Sequence, residues 1–387
     1  MPKNKKPVPR KIVETPEQKD AAMTRQLCAL ARYLSGAPPK NATTEQNRAD
    51  FFKSIKKCLH QRNDDVLYEA LDITRQDDAI TYAFLKETIE EVAEVVTIQR
   101  DGAGAVEINA FVIPLFLHTS GGLKGAEAFQ DQAAFEQLTA SLQESGLESP
   151  QAQVVLVNHA YQLDEIDSIT FSHLHEMVRD AHAAMQDMRA AAATAITRSF
   201  GEATDEPFAP DDAAVELRFL LGFAAKPADD SFYQIPAEET ALDAYFAARE
   251  QRFQEWASKV TPLVQRCFAP VEREVEVHFL YQDLFHGGKE RGIAEYFTLQ
   301  MMSELNYGLR AADTEAGAAR AVIGPAKVGD ETVVRANLHR ISDDRLLSSA
   351  EKPLGAHADL ELELLDVRDA LGMIGIKEID AIAGFND

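Results

Sequence analysis

The chain states one plan twice. Residues 105–147 open with an apolar strand, Val106-Glu107-Ile108-Asn109-Ala110-Phe111-Val112-Ile113, followed by Gly121-Gly122 with Lys124 and Gly125. A helical stretch then closes on Gly146-Leu147. Residues 275–309 repeat the order: Val275-Glu276-Val277-His278-Phe279-Leu280-Tyr281, then Gly287-Gly288 with Lys289, Arg291 and Gly292, then a helix closing on Gly308-Leu309. Each copy runs on into a further strand–helix–strand succession. The likeness lies in element order and a few positions, so an ancient duplication is a hypothesis. It predicts an α+β protein: an all-helical N-terminal region followed by two ferredoxin-like (split β-α-β) modules.

Local signals set the expected boundaries. Residues 1–14 are polar and Pro-containing and read as a disordered basic tail. Thr15-Pro16-Glu17-Gln18 is a helix start, with Thr as cap, Pro in the first turn and Gln three residues after the cap. Four short amphipathic helices then fill 15–93. Around Val95-Val96-Thr97-Ile98 the period changes to extended, and Asp101-Gly102-Ala103-Gly104 reads as a hairpin turn.

The first module, 94–226, holds a long strand over 105–117, with Pro114 marking a bulge or an edge. A helix near 125–145, a strand 153–157, a helix 168–197 and a strand 215–221 follow. Residues 227–269 supply a linker and a long helix that Pro262 should kink or split. The second module, 270–387, reads as β-α-β-β-α-β, with strands 275–281 and 332–340 in one antiparallel sheet. Gly308 reads as a helix cap. Asp359-Leu360-Glu361-Leu362-Glu363-Leu364 alternates like a strand, yet Leu364, Val367 and Leu371 continue it as a helix stripe.

Charge narrows the partners. The net charge is −24, and residues 1–12 hold five cations and no acid, which leaves −29 for the rest. Such a body repels phosphate backbones, so nucleic acid is expected to associate only weakly, through the tail. No apolar run is long enough for a signal peptide or a membrane span, so a cytoplasmic protein without membrane contact is expected. Cys28, Cys58 and Cys267 form no CxxC and read as reduced thiols, the first two buried on helix faces.

Motifs for chemistry are scarce. His173, His175 and His182 share one expected helix without i,i+4 pairing, and no metal site or cofactor is expected. No GxSxG or Walker loop occurs. The site candidates are the two glycine turns, each leading from a strand into a helix. Glycines admit a ligand to the backbone, and helix N-terminal N–H groups with a nearby cation attract anions. Gly121, Gly122, Lys124, Gly287, Gly288, Lys289 and Arg291 are therefore the candidate anion-binding residues. The same glycines would also serve simply to turn the chain.

The order of elements resembles an uncharacterised family of proteobacterial proteins defined by a domain of unknown function. The segments that carry it are Asn109-Ala110-Phe111-Val112-Ile113-Pro114-Leu115, Tyr161-Gln162-Leu163-Asp164-Glu165, Leu217-Arg218-Phe219-Leu220-Leu221-Gly222 and Arg320-Ala321-Val322-Ile323-Gly324-Pro325. The likeness runs from about residue 50 to the end; the CxxC-type C-terminal element of some members is not present here. The resemblance implies a cytosolic bacterial protein and transfers no site. Two functions remain open. One is a self-associating binding or scaffold protein. The other is a binder of, or enzyme acting on, a small phosphorylated or carboxylated ligand at the glycine turns.

Overall fold

The computed structural model describes residues 15–100, 104–119, 131–149, 151–186, 193–196, 214–268, 275–329, 331–354 and 358–385. The basic tail and the first glycine turn, with Gly121, Gly122 and Lys124, lie outside the described residues. The chain divides into two compact units, one of Met1–Ala93 with Thr170–Met177 and one of Glu94–Ile169 with Val178–Asp387.

The first unit is helical: α1 (Pro16–Ser35), α2 (Ala42–Gln61), α3 (Asp64–Asp77) and α4 (Ala79–Glu94). The capping box forms as the Thr15–Gln18 spacing predicts. Thr15 Oγ1 accepts from the Gln18 N–H at 3.3 Å, and Gln18 Oε1 accepts from the Thr15 N–H at 3.1 Å. The stripes Leu27, Phe51, Ile55, Leu67, Leu85 and Ile89 are fully buried. Asp64 accepts from the Ser172 N–H at 2.9 Å and the Thr170 hydroxyl at 3.0 Å. It thereby satisfies the start of a later helix, whose open N–H groups need a partner.

The second unit carries two sheets. The first contains β1 (Val95–Arg100), β2 (Gly104–Thr119), β3 (Gln153–Tyr161), β4 (Ala193–Ile196), β5 (Ala214–Pro227), β6 (Val275–Phe279) and β7 (Asp283–Leu284). Its order is β1-β2-β5-β3-β4, with β6 and β7 also on β2. The other contains β8 (Ala319–Val328), β9 (Glu331–Arg340), β10 (Leu346–Pro353) and β11 (Glu378–Ala381), in the order β10-β9-β8-β11. The helices are α5 (Gln132–Ser141), α6 (Leu163–Asp167), α7 (Phe171–Gln186), α8 (Leu242–Phe268), α9 (Phe285–Ala311) and α10 (Leu360–Met373).

The mixed α+β class and the helical N-terminus hold, but the expected C-terminal module does not. Strand β6 pairs with β2 in the first sheet, while β9 lies in the second. The strand orders of the two sheets do not repeat one another among the described residues, so the duplication gains no support. The cause is β2. Residues 108–117 are all buried, so this strand is covered on both faces and its hydrogen bonds are used along both edges. One edge takes β5 in unbroken register, and the other takes β1, β7 and β6 in succession. Pro114 accepts from the Leu280 N–H at 3.1 Å, so its missing donor faces the break between β7 and β6.

Three further expectations are corrected. The helix foreseen over 168–197 is α7, which ends at Gln186; residues 193–196 form β4, parallel to β3. Of the kink or split expected at Pro262, the split is absent: α8 runs through Pro262 as one element. Gly308 is not a cap but an interior residue of α9, where a Cβ would meet Ser348 of β10. Strand β10 was not foreseen at all, and the Asp359–Leu364 ambiguity resolves as helix, with Asp359 accepting from the Glu361 N–H at 2.9 Å.

Helix α9 serves both sheets. Its first turns rest on the first sheet, where Gly288 and Gly292 face Val112, Pro114 and Phe219. Its later residues Met301, Leu305 and Leu309 pack with Val367 and Leu371 of α10 on Ala321, Ile323, Ala336 and Leu338 of the second. The opposite face of the first sheet is covered by Phe135 and Leu138 of α5 and Trp256, Val260 and Val264 of α8.

Candidate functional site

The second glycine turn folds as helix. Gly287 and Gly288 lie in the first turn of α9, and a Cβ at 288 would stand 2.6 Å from Val112 Cγ2. Close packing thus accounts for that glycine. Two N–H groups at this end have acceptors within the chain: the buried Glu94 accepts from the His286 N–H at 3.0 Å, and Asp283 from the N–H of Leu284, the residue before α9, at 2.9 Å. Lys289 pairs with Asp167 at 3.2 Å. Of the candidate residues, Arg291 lines a concave surface.

That surface is a cleft of about 450 Å³ lined by Phe246, Arg249, Glu250 and Phe253 of α8, Leu280 and Tyr281 after β6, and Arg291. The four α8 residues recur at helical spacing and so share one face. The volume lies in the range of small-molecule sites.

Behind the cleft the polar groups form a chain. Arg249 Nε stands 3.0 Å from Oε1 of Glu148, whose side chain is 1% exposed. The second Glu148 oxygen accepts from the Gln234 N–H and the Tyr245 hydroxyl, both at 2.8 Å. Burial, and then this bond to Glu148, push the Tyr245 hydroxyl up to about 12. The Arg249 guanidinium lies over the rings of Tyr281, 4.7 Å from the centroid, and Tyr233, at 5.4 Å. Tyr233 donates its hydroxyl to Asp283. Asp283 Oδ2 is 3.6 Å from Arg291 Nη1, and Arg291 Nη2 donates to the Tyr281 carbonyl at 2.9 Å. Burial raises the Asp283 carboxyl, with Arg291 opposing, and burial lowers the Arg291 guanidinium, with Asp283 opposing.

Three buried polar atoms of the cleft residues lack a hydrogen bond, and one of them, Arg249 Nε, has its ion pair with Glu148. Arg249 Nη2 and the Tyr281 hydroxyl are both buried without a partner, and Tyr281 is 7% exposed. Buried donors of this kind are costly to leave open, so a hydrogen-bond acceptor would relieve them.

The histidines gather no metal site: among the described residues no group of three or more His, Cys, Asp or Glu could hold an ion. His118 and His278 face each other across β2 and β6 at 5.5 Å, and His175 Nδ1 donates to the Val92 carbonyl at 3.1 Å. No described helix is long and apolar enough to cross a membrane.

Arg249, Tyr281, Glu148 and Asp283 were not foreseen as site residues. One signal was present: Arg249 interrupts the apolar stripe of Phe246, Phe253 and Trp256, where a charge needs a partner.

Residues 14–340 match the model of DUF2863, described as a protein of unknown function. The chain belongs to this family. The uncharacterised family implied by the resemblance is met at that level, and the whole cleft of this DUF2863 protein falls inside the matched span. No curated protein and no solved structure matches the chain.

Proposed function

We propose that the protein binds a small ligand, apolar in its body and bearing a hydrogen-bond acceptor, in the Arg249–Tyr281–Arg291 cleft. The observation that carries this reading is the pair of unpartnered buried donors, Arg249 Nη2 and the Tyr281 hydroxyl. Phe246, Phe253 and Leu280 supply the apolar wall. The reading keeps the small anionic ligand expected from the sequence and moves it from the glycine turns to α8.

A thermal-shift screen of nucleotides, sugar phosphates, dicarboxylates and ring carboxylates tests it, since a ligand of the folded state raises Tm by mass action. Tyr281→Phe should remove the shift, and Lys289→Ala, which breaks the Asp167 pair, should keep it. A screen without any shift, or a shift indifferent to Tyr281→Phe, would sink the reading.

Association with a protein partner is a second reading, favoured by α10. Leu362, Leu365 and Met373 share its outer face and are 60%, 51% and 83% exposed. Light scattering of the full chain beside Leu365→Glu checks it; a concentration-independent monomer in both would count against self-association.

A further inference from the structure

The charges of the cleft restrict what its ligand can be. Arg249 is matched by Glu148, Arg291 is matched by Asp283, and the exposed Glu250 stands at the rim, held by Gln254 at 2.6 Å. An arriving anion therefore meets no spare positive charge. Of the two pairs, the one with Asp283 is the looser. Arg249 and Glu148 stand at 3.0 Å, with Glu148 held by two further donors, whereas Asp283 Oδ2 has Arg291 alone, at 3.6 Å. Asp283 Oδ1 meanwhile accepts from the Tyr233 hydroxyl and the Leu284 N–H. Oδ2 is thus the oxygen that a competitor would leave without its cation.

Resting on the cleft reading above, we infer that the ligand is a monocarboxylate, which takes the place of Asp283 on Arg291 while Asp283 acquires a proton. The proton comes from solvent and sits on Oδ2, so the site gains one negative charge and loses one. A phosphate monoester carries up to two charges at neutral pH and would need a second protonation that no neighbour supplies. The Arg291 side chain is 42% exposed and that of Asp283 25%, and two carboxylates sharing one guanidinium in such a partly buried site favour holding a proton between them. Burial already raises the Asp283 carboxyl in the empty cleft.

The groups facing Asp283 agree with this assignment. Arg291 approaches from α9 and Tyr233 from the segment before α8, while Glu148 before β3 acts through its charge. Strand β2 offers only Val112 opposite it. Within α9, His286 follows, its backbone N–H held by Glu94. Arg249 from α8 faces Arg291 and Tyr281 rather than a free carboxylate.

Benzoate and phenyl phosphate, which present the same ring with different anions, separate the outcomes in full-length protein. Titration calorimetry at about pH 7 in two buffers of different ionisation enthalpy should show benzoate binding with net proton uptake. Phenyl phosphate should bind at least about tenfold more weakly. Benzoate affinity should fall as pH rises, because the bound form carries the extra proton, and Asp283→Asn should bind benzoate without proton uptake and without that pH slope. Phenyl phosphate matching benzoate would overturn the carboxylate assignment. Benzoate binding to the wild type without proton uptake would overturn the exchange at Asp283. Both of those results would leave the cleft intact as a site, whereas failure of both probes, or benzoate binding indifferent to Tyr281→Phe, would overturn the cleft reading itself and this inference with it.

Discussion

Gly292 of α9 rests directly on Pro114 of β2, so close that a methyl at 292 would stand 2.8 Å from the proline Cβ and 2.9 Å from Phe219 Cε1. The contact joins helix to strand through the residue that breaks the ladder on that edge of β2. Gly292→Ala should destabilise the protein by about 1–3 kcal/mol through overpacking. Gly317→Ala, where nothing lies within 4 Å, is the control that should leave the denaturation midpoint in place or raise it.

Arg249→Ala should be the more damaging change at the cleft. It strands Glu148, 1% exposed, without its cation, and removing one partner of a buried pair costs about 3–5 kcal/mol. Urea denaturation of the variant checks this; a loss below about 1 kcal/mol would show that Glu148 finds another partner.

Tyr281→Phe should move stability the other way. Its hydroxyl is buried without a hydrogen bond, so deleting it relieves a penalty and raises stability by about 1 kcal/mol. The same change should weaken ligand binding. A drop in Tm would mean that the hydroxyl is satisfied in solution, which would weaken the case for the cleft.

Alkaline titration should pick out Tyr245. Its hydroxyl is raised to about 12 from the ordinary 10, so the folded state keeps a proton that the unfolded chain releases. The stabilisation is complete below about pH 10 and fades as pH climbs towards about 12. Wild type should therefore lose stability relative to Tyr245→Phe across that interval, with denaturant midpoints as the readout.

Cys28 and Cys58 should resist thiol reagents in the native protein. Both are buried, and burial raises both thiols, Cys58 to about 11, so little thiolate forms at neutral pH. Mass spectrometry after brief alkylation should find them unmodified until denaturant is added.

Residue patterns made some of this architecture legible. The Thr15–Gln18 box and the Val275-Glu276-Val277-His278-Phe279 alternation are local, and the alternation reappears as strict burial of every second residue of β6. Which strand β6 would join was not local. Its place on β2 depends on the full burial of 108–117, a property of what covers the strand rather than of its spelling. Gly308 shows the same limit. A glycine near the end of an apolar stripe fits a cap, and it fits equally well a helix pressed against Ser348. Strand β10, Leu-Leu-Ser-Ser-Ala-Glu-Lys-Pro, has few strand-favouring residues and exists because β9 pairs with it. The cleft was hidden for a related reason: Glu148, Arg249 and Asp283 are far apart in sequence and meet only once α8 and α9 are placed.

Helix α9 gives the two sheets a party wall. Its first turns close one sheet and its later turns close the other, so neither has a complete boundary of its own. A chain cut between β7 and β8 would leave one fragment with a bare wall, whichever side kept the helix. The two sheets are therefore tenants of one structure, and damage to the shared rod is felt on both sides of it.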